Sequence, residues 1–162
     1  MHFFESQHFN SYNDRDSAAV FADLEFHKCC FRSEAISTTL DPKLRSTVRN
    51  VKIINCQVAG GSIQCAVVEN VTVDGLKTHR LFKTWGAVFK HVILIGKIGT
   101  VMFGPAIAPG VANQDQQLAF DEASAAFYKD ADWALDISEG QFEECVMEQL
   151  CPTYLLRSKR KL

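Results

Sequence analysis

Apolar β-branched residues recur at a separation of about twenty along the middle of the chain, and a fixed period restricts architecture more than any other property of a sequence. Three stretches align, Val48 to Cys56, Val68 to Leu76 and Val88 to Leu94. Val48, Val68 and Val88 fall in one column. Val51 and Val71 fall in a second, which Val92 joins after a slip of one residue. Ile53, Val73 and Leu94 make a third with the same slip. Looking backward, Phe31 stands twenty before Val51, and Ile36 stands twenty before Cys56. Alternating β-branched positions repeated at this interval predict short strands that pair in parallel from one coil to the next, with inward side chains stacked in apolar ladders. Each Val, Ile or Phe buried in such a ladder contributes roughly 1.5–3 kcal/mol.

A finer step lies inside the period. Phe21, Phe26, Phe31 and Ile36 are spaced by five, and Ala19, Leu24 and Cys29 stand two places before the first three. Four steps of five make one coil of twenty. Over residues 19–36 the chain resembles the pentapeptide-repeat proteins, and Ala22-Asp23-Leu24-Glu25-Phe26 fits their A-(D/N)-L-x-x pattern. The resemblance implies a right-handed quadrilateral β-helix. Residues 40–104 depart from it, with longer valine-rich strands. The expected fold is therefore an all-β solenoid, a right-handed parallel β-helix of about 20-residue coils over residues 18–104, within a single domain of 1–162. Turn signals at Gly60-Gly61, Asp74-Gly75 and Gly96 to Gly99 fit that reading, and equally fit a sandwich or barrel.

After Phe103 the pattern stops. Gly104-Pro105 and Pro109-Gly110 mark a loop. Residues 113–130 read as a helix packed on the stack, with Leu118, Ala119, Ala125, Ala126 and Phe127 available for its buried side. Ile137, Phe142 and Met147 recover the five-residue step, so 133–150 is expected to form a last partial coil. Pro152 ends it and leaves a basic tail over 152–162. Trp133 stands where it could pin the helix to the stack.

Charge is segregated. The net charge is −2, yet residues 113–152 carry ten acids against Lys129 alone, and Arg157, Lys159, Arg160 and Lys161 follow. Such asymmetry speaks to partners rather than to fold. Apolar runs such as Val92 to Ile95 are too short to span a bilayer, and the N-terminus lacks a basic region followed by an apolar one. A cytoplasmic location is the default expectation. Six cysteines, none in C-x-x-C spacing, read as free, mostly buried thiols.

The residues suggest no catalytic centre. His27 near Cys29 and Cys30 could be a base beside a nucleophile, but core packing explains them more simply. His79 and His91 lack ligand spacing, and no cluster supplies the three protein ligands that zinc needs. Residues Ile95 to Thr100 have the composition of a phosphate loop without its spacing. No metal or cofactor is expected. The acidic run Asp130, Asp132, Asp136, Glu139, Glu143 and Glu144 could include an acid/base pair, but reads better as a charged face.

These observations predict a non-enzymatic protein-binding module whose acidic face takes a basic protein partner, a toxin or a nucleic-acid-processing enzyme. The family resemblance adds inhibitors that resemble DNA in charge, and small acidic bacterial proteins often act as immunity proteins. One alternative is a small enzyme with a site between helix and solenoid flank, using His91, Cys65 or the acids. Another is a self-assembling structural protein, with a homodimer formed through an exposed coil end. Four basic residues in a short tail argue against direct nucleic-acid binding.

Overall fold

The computed structural model describes residues 1–148 and 151–158. Strands hold 58% of them. β1 (His2–Glu5), β2 (His8–Asn10) and β3 (Asn13–Arg15) lead into β4 (Val20–His27) and β5 (Cys30–Thr38). A 3-10 turn over Pro42–Leu44 precedes β6 (Thr47–Gln64), β7 (Val67–Thr78), β8 (Phe82–Trp85) and β9 (Val88–Gly104). One helix, α1 (Gln114–Lys129), separates these from β10 (Leu135–Asp136), β11 (Gly140–Met147) and β12 (Leu156–Arg157). Every described pairing is parallel.

The centre of the sheet closes on itself. β6 pairs with β7 and, further along, with β8, and both of these pair with β9. Four strands thus form a small closed parallel barrel, to which the remaining strands are added. This corrects the expected right-handed solenoid of equal 20-residue coils. The physical reason lies in strand length and register. β6 and β9 run for 18 and 17 residues, so each bends around the interior and reaches both β7 and β8. Nor is the separation fixed. Val20 lies opposite Thr47, Thr47 opposite Val67, and Val67 opposite Val88, and the register shifts again between Asp74 and Leu76.

Two of the three valine columns are in register. Val51, Val71 and Val92 are successive partners, as are Ile53, Val73 and Leu94. The first column is displaced by one place, because Val68 faces Phe89 while Val88 faces Val67. Val51, Val71, Val92 and Leu94 are all buried, in one core that also takes in Ala134, Leu135 and Leu155.

The long strands bend at residues with left-handed backbone. Asp23, Asn50, Asn70 and His91 have φ of 60°, 52°, 51° and 55°. They occupy one column, each immediately before an aligned pair of the Leu24, Val51, Val71, Val92 series. Asn and Asp accept this conformation more readily than other side chains because their short polar groups bond locally. Here they also bond along the column: Asn50 Nδ2 donates to Asp23 Oδ1 at 3.1 Å and Asn70 Nδ2 to Asn50 Oδ1 at 2.6 Å.

Helix α1 starts at a capping box, in which Asn113 and Gln116 satisfy each other's backbone N–H. Its buried residues are Phe120 and Tyr128, while Leu118 and Ala125 are exposed, so the expected packing side is rotated. Phe89 N donates to the Tyr128 hydroxyl at 3.1 Å. Arg45 reaches the same flank, with Nη2 donating to Ser124 Oγ at 3.0 Å and its guanidinium 4.9 Å from the Phe120 ring. The Trp133 ring meets the His91 ring, with centroids 4.8 Å apart, and the Arg157 guanidinium, at 4.2 Å. No helix among the described residues is long and apolar enough to cross a membrane.

Candidate functional site

The acid-rich segment forms the last layer over β9. β10 lies on the first half of that strand and β11 on the second. The six acids expected to bind a partner therefore share one end of the molecule, but they are not equivalent. Asp130 is the C-cap of α1, its N–H bonded to the carbonyls of Phe127 and Tyr128. Asp132 accepts from His91 Nε2 at 2.5 Å, and that bond holds its carboxyl below the ordinary carboxylate range. Asp136 accepts from the N–H and hydroxyl of Ser138, at 3.0 and 2.6 Å, which fixes the turn that follows. Glu139 is exposed within that turn, and its carbonyl accepts from Gly96 N. Glu143 and Glu144 are exposed on β11 and have no ion pair among the described residues.

β11 is an edge. It pairs with β9 on one side, and no described strand pairs with the other. Beside it runs an open groove of about 640 Å³ that crosses β6, β7, β9 and β11. Beside it, one bend column passes from side chains to glycines. Lys28 and Asn55 are followed in register by Gly75 and Gly96, with φ of 79° and 73°. A Cβ on Gly75 would stand 2.6 Å from Asn55 Oδ1, so the Asn55 amide occupies the space that the glycine leaves. The register shift between Asp74 and Leu76 falls at the same place, and Lys97 is the residue opposite it. Bulges of this kind re-aim side chains. Lys77, Lys97 and Glu143 line the groove together.

The residues weighed for catalysis are not assembled. Cys65 is buried with Ile107 and Phe120, and burial pushes its thiol up to about 11, with Arg45 opposing. Such a thiol stays protonated at neutral pH and is a poor nucleophile. Cys29 is fully buried and donates to the carbonyls of Phe4 and His27. The His27 ring turns instead to Glu25, at 2.8 Å. His91 and Asp132 pair at an exposed position beside the Trp133 ring, apart from buried Cys65. Among the described residues no group of three or more His, Cys, Asp or Glu could hold a metal ion.

The open edge and the groove beside it were missed by sequence reasoning. The Gly75 and Gly96 signal was visible but fits any turn, and only register shows that the two glycines are neighbours. Lys159, Arg160 and Lys161 of the basic tail lie outside the described residues. Comparison with known proteins adds no constraint, since no family model, curated protein or solved structure matches the chain.

Proposed function

We propose that this chain is a non-enzymatic binding module that holds a basic protein partner against its acid-bearing end, in the manner of an inhibitor or immunity protein of the bacterial cytoplasm. The observation that carries the reading is the position of Glu143 and Glu144. Both are exposed on an edge strand, in a segment where acids outnumber bases ten to one. Fixed charges of one sign on a rigid sheet steer an oppositely charged partner and speed its encounter. The sheet is already ordered, so little conformational freedom is lost when it binds. The partner class is a toxin or a nucleic-acid-processing enzyme, because such proteins carry basic surfaces for a polyanion.

The test is affinity capture at low salt with the wild-type chain and with the Glu143→Lys, Glu144→Lys double variant. A protein of high isoelectric point should come down with the wild type, elute with salt and be missing from the variant. Equal recovery by both baits would remove the acidic end from the interaction. Both side chains are exposed, so the variant's stability should stay within about 0.5 kcal/mol of the wild type.

A further inference from the structure

The geometry points to a specific way of holding that partner: an extended basic segment adds to the open edge of β11 as one more strand. This inference rests on the binding function proposed above and narrows it to a backbone-mediated mode. Three observations support it.

The first is the edge itself. β11 runs for eight residues, Gly140 to Met147, and pairs only with β9 among the described strands. An unpaired edge presents N–H and C=O groups to any extended chain. Natural edges are blunted by proline, charged side chains, bulges or shortness. β11 has no proline and is longer than β1, β2 or β3, and its charges are all of one sign, so they repel an acidic strand and admit a basic one.

The second is a rule of charge that the molecule keeps across its own strands. Arg49 lies opposite Glu69, and Glu69 opposite Lys90. Glu25 lies opposite Lys52. Directly opposed charges of unlike sign favour the pairing of strands, and like charges oppose it. Glu144 faces the uncharged Thr100, and no described charge on β9 answers either glutamate. A strand that followed the same rule over them would carry Lys or Arg.

The third is an internal precedent. Over β10, the other half of the same last layer, the chain supplies that next strand itself. β12 pairs with the outer side of β10 in parallel, and Arg157 stands opposite Asp136. The layer begun by β12 has no described counterpart over β11. A basic extended segment of the partner completes over β11 what Leu156 and Arg157 complete over β10.

The experiment uses the full chain and a synthetic, fluorescently labelled peptide in which Lys alternates with Val, followed by anisotropy at low salt. A second peptide has the same sequence with alternate backbone nitrogens methylated, which keeps its charge but removes the donors that a strand needs. Strand addition predicts binding of the first peptide, at least a tenfold loss on methylation, and a similar loss with the Glu143→Lys, Glu144→Lys variant. Equal binding of the two peptides would overturn strand addition and leave the charge-based reading standing. No binding of either peptide would overturn it too. Failure of the capture experiment above would instead remove the binding function on which this mode depends.

Discussion

The two outer edges of the sheet are built on opposite principles. At the N-terminal edge, β1, β2 and β3 are three or four residues long; aromatic stacking holds β1 and β2 from inside, and buried Asp14, which accepts from Ser37 N and the Ser46 hydroxyl, holds β3. Phe4 stacks on Phe26 with centroids 5.1 Å apart, and Phe9 on Phe31 at 5.4 Å, both at 13° between planes. Phe9 also meets Phe26 edge-on, at 5.7 Å. Offset and edge-on ring pairs add roughly 0.5–1.5 kcal/mol beyond the area that they bury. At the C-terminal edge, β11 is longer and acidic, and its layer is anchored by aliphatic burial at Leu135, Ile137 and Leu155. One edge has its rings turned in and its strands cut short. The other keeps a continuous run of backbone beside like charges. Short strands limit association, whereas a long acidic edge selects what may associate.

If this contrast is right, removing an inner anchor should harm the C-terminal edge more. Leu135 is fully buried between partners Val92 and Leu156. Leu135→Ala should cost about 2–5 kcal/mol in a urea titration. Phe4 is half-buried at the opposite edge, and Phe4→Ala should cost less than Leu135→Ala. Equal losses would break the comparison. A middle-sized effect belongs to the bend column that joins the two edges. Asn50→Ala places a Cβ with no local hydrogen bond at φ 52° and removes the bonds to Asp23 and Asn70. About 1–2 kcal/mol should be lost, and Asn50→Gly should recover part of it in the same thermal melts. If alanine is neutral there, the column carries no stability.

The smallest expected effect sharpens the account of the acids themselves. Asp132 is held low chiefly by its bond from His91. A depressed carboxylate pKa contributes stability that is present above the ordinary carboxylate pKa and is lost as pH falls through the depressed value. Because Asp132 is exposed, the change is one for NMR titration of its side-chain carbon rather than for denaturation. His91→Ala should move its midpoint up toward ordinary carboxylates, and an unmoved midpoint would assign the shift to some other group.

Much of the inner register was legible in the sequence. Val51, Val71 and Val92 align because the side-chain period of a strand is two, and a buried face fixes which residues share it. The helix was legible to within a residue at each end, because the Pro109-Gly110 loop signal stands just before it and strand character returns just after it. The closed four-stranded centre was not legible, because closure depends on one strand meeting two neighbours at different points along its length, and a linear repeat carries no sign of that. The N-terminal strands were passed over because Phe4 and Phe9 stand 22 residues before their partners Phe26 and Phe31, not twenty. The site was legible only as charge. That Glu143 and Glu144 sit on an unpaired edge follows from which strands come last in the assembly, a property of tertiary order and not of local pattern.

The change of register between β4 and β6 has a practical consequence. Residues opposite one another there are 27 apart, against 20 between β6 and β7, and the surplus is taken up by the stretch from Thr39 to Ser46. Both ends of that stretch are fastened to Asp14, which accepts from Ser37 N just before it and from the Ser46 hydroxyl at its end; Ser46 N also donates to Ser37 Oγ, and Arg45 reaches the helix flank. The apex of the stretch is a capped turn, Asp41 accepting from Lys43 N at 2.9 Å, and the Lys43 side chain on it is exposed. A fluorophore or surface linkage attached through the Lys43 amine would therefore sit on an existing length adjustment, far in sequence from the acidic strand, and give a handle for immobilising the protein.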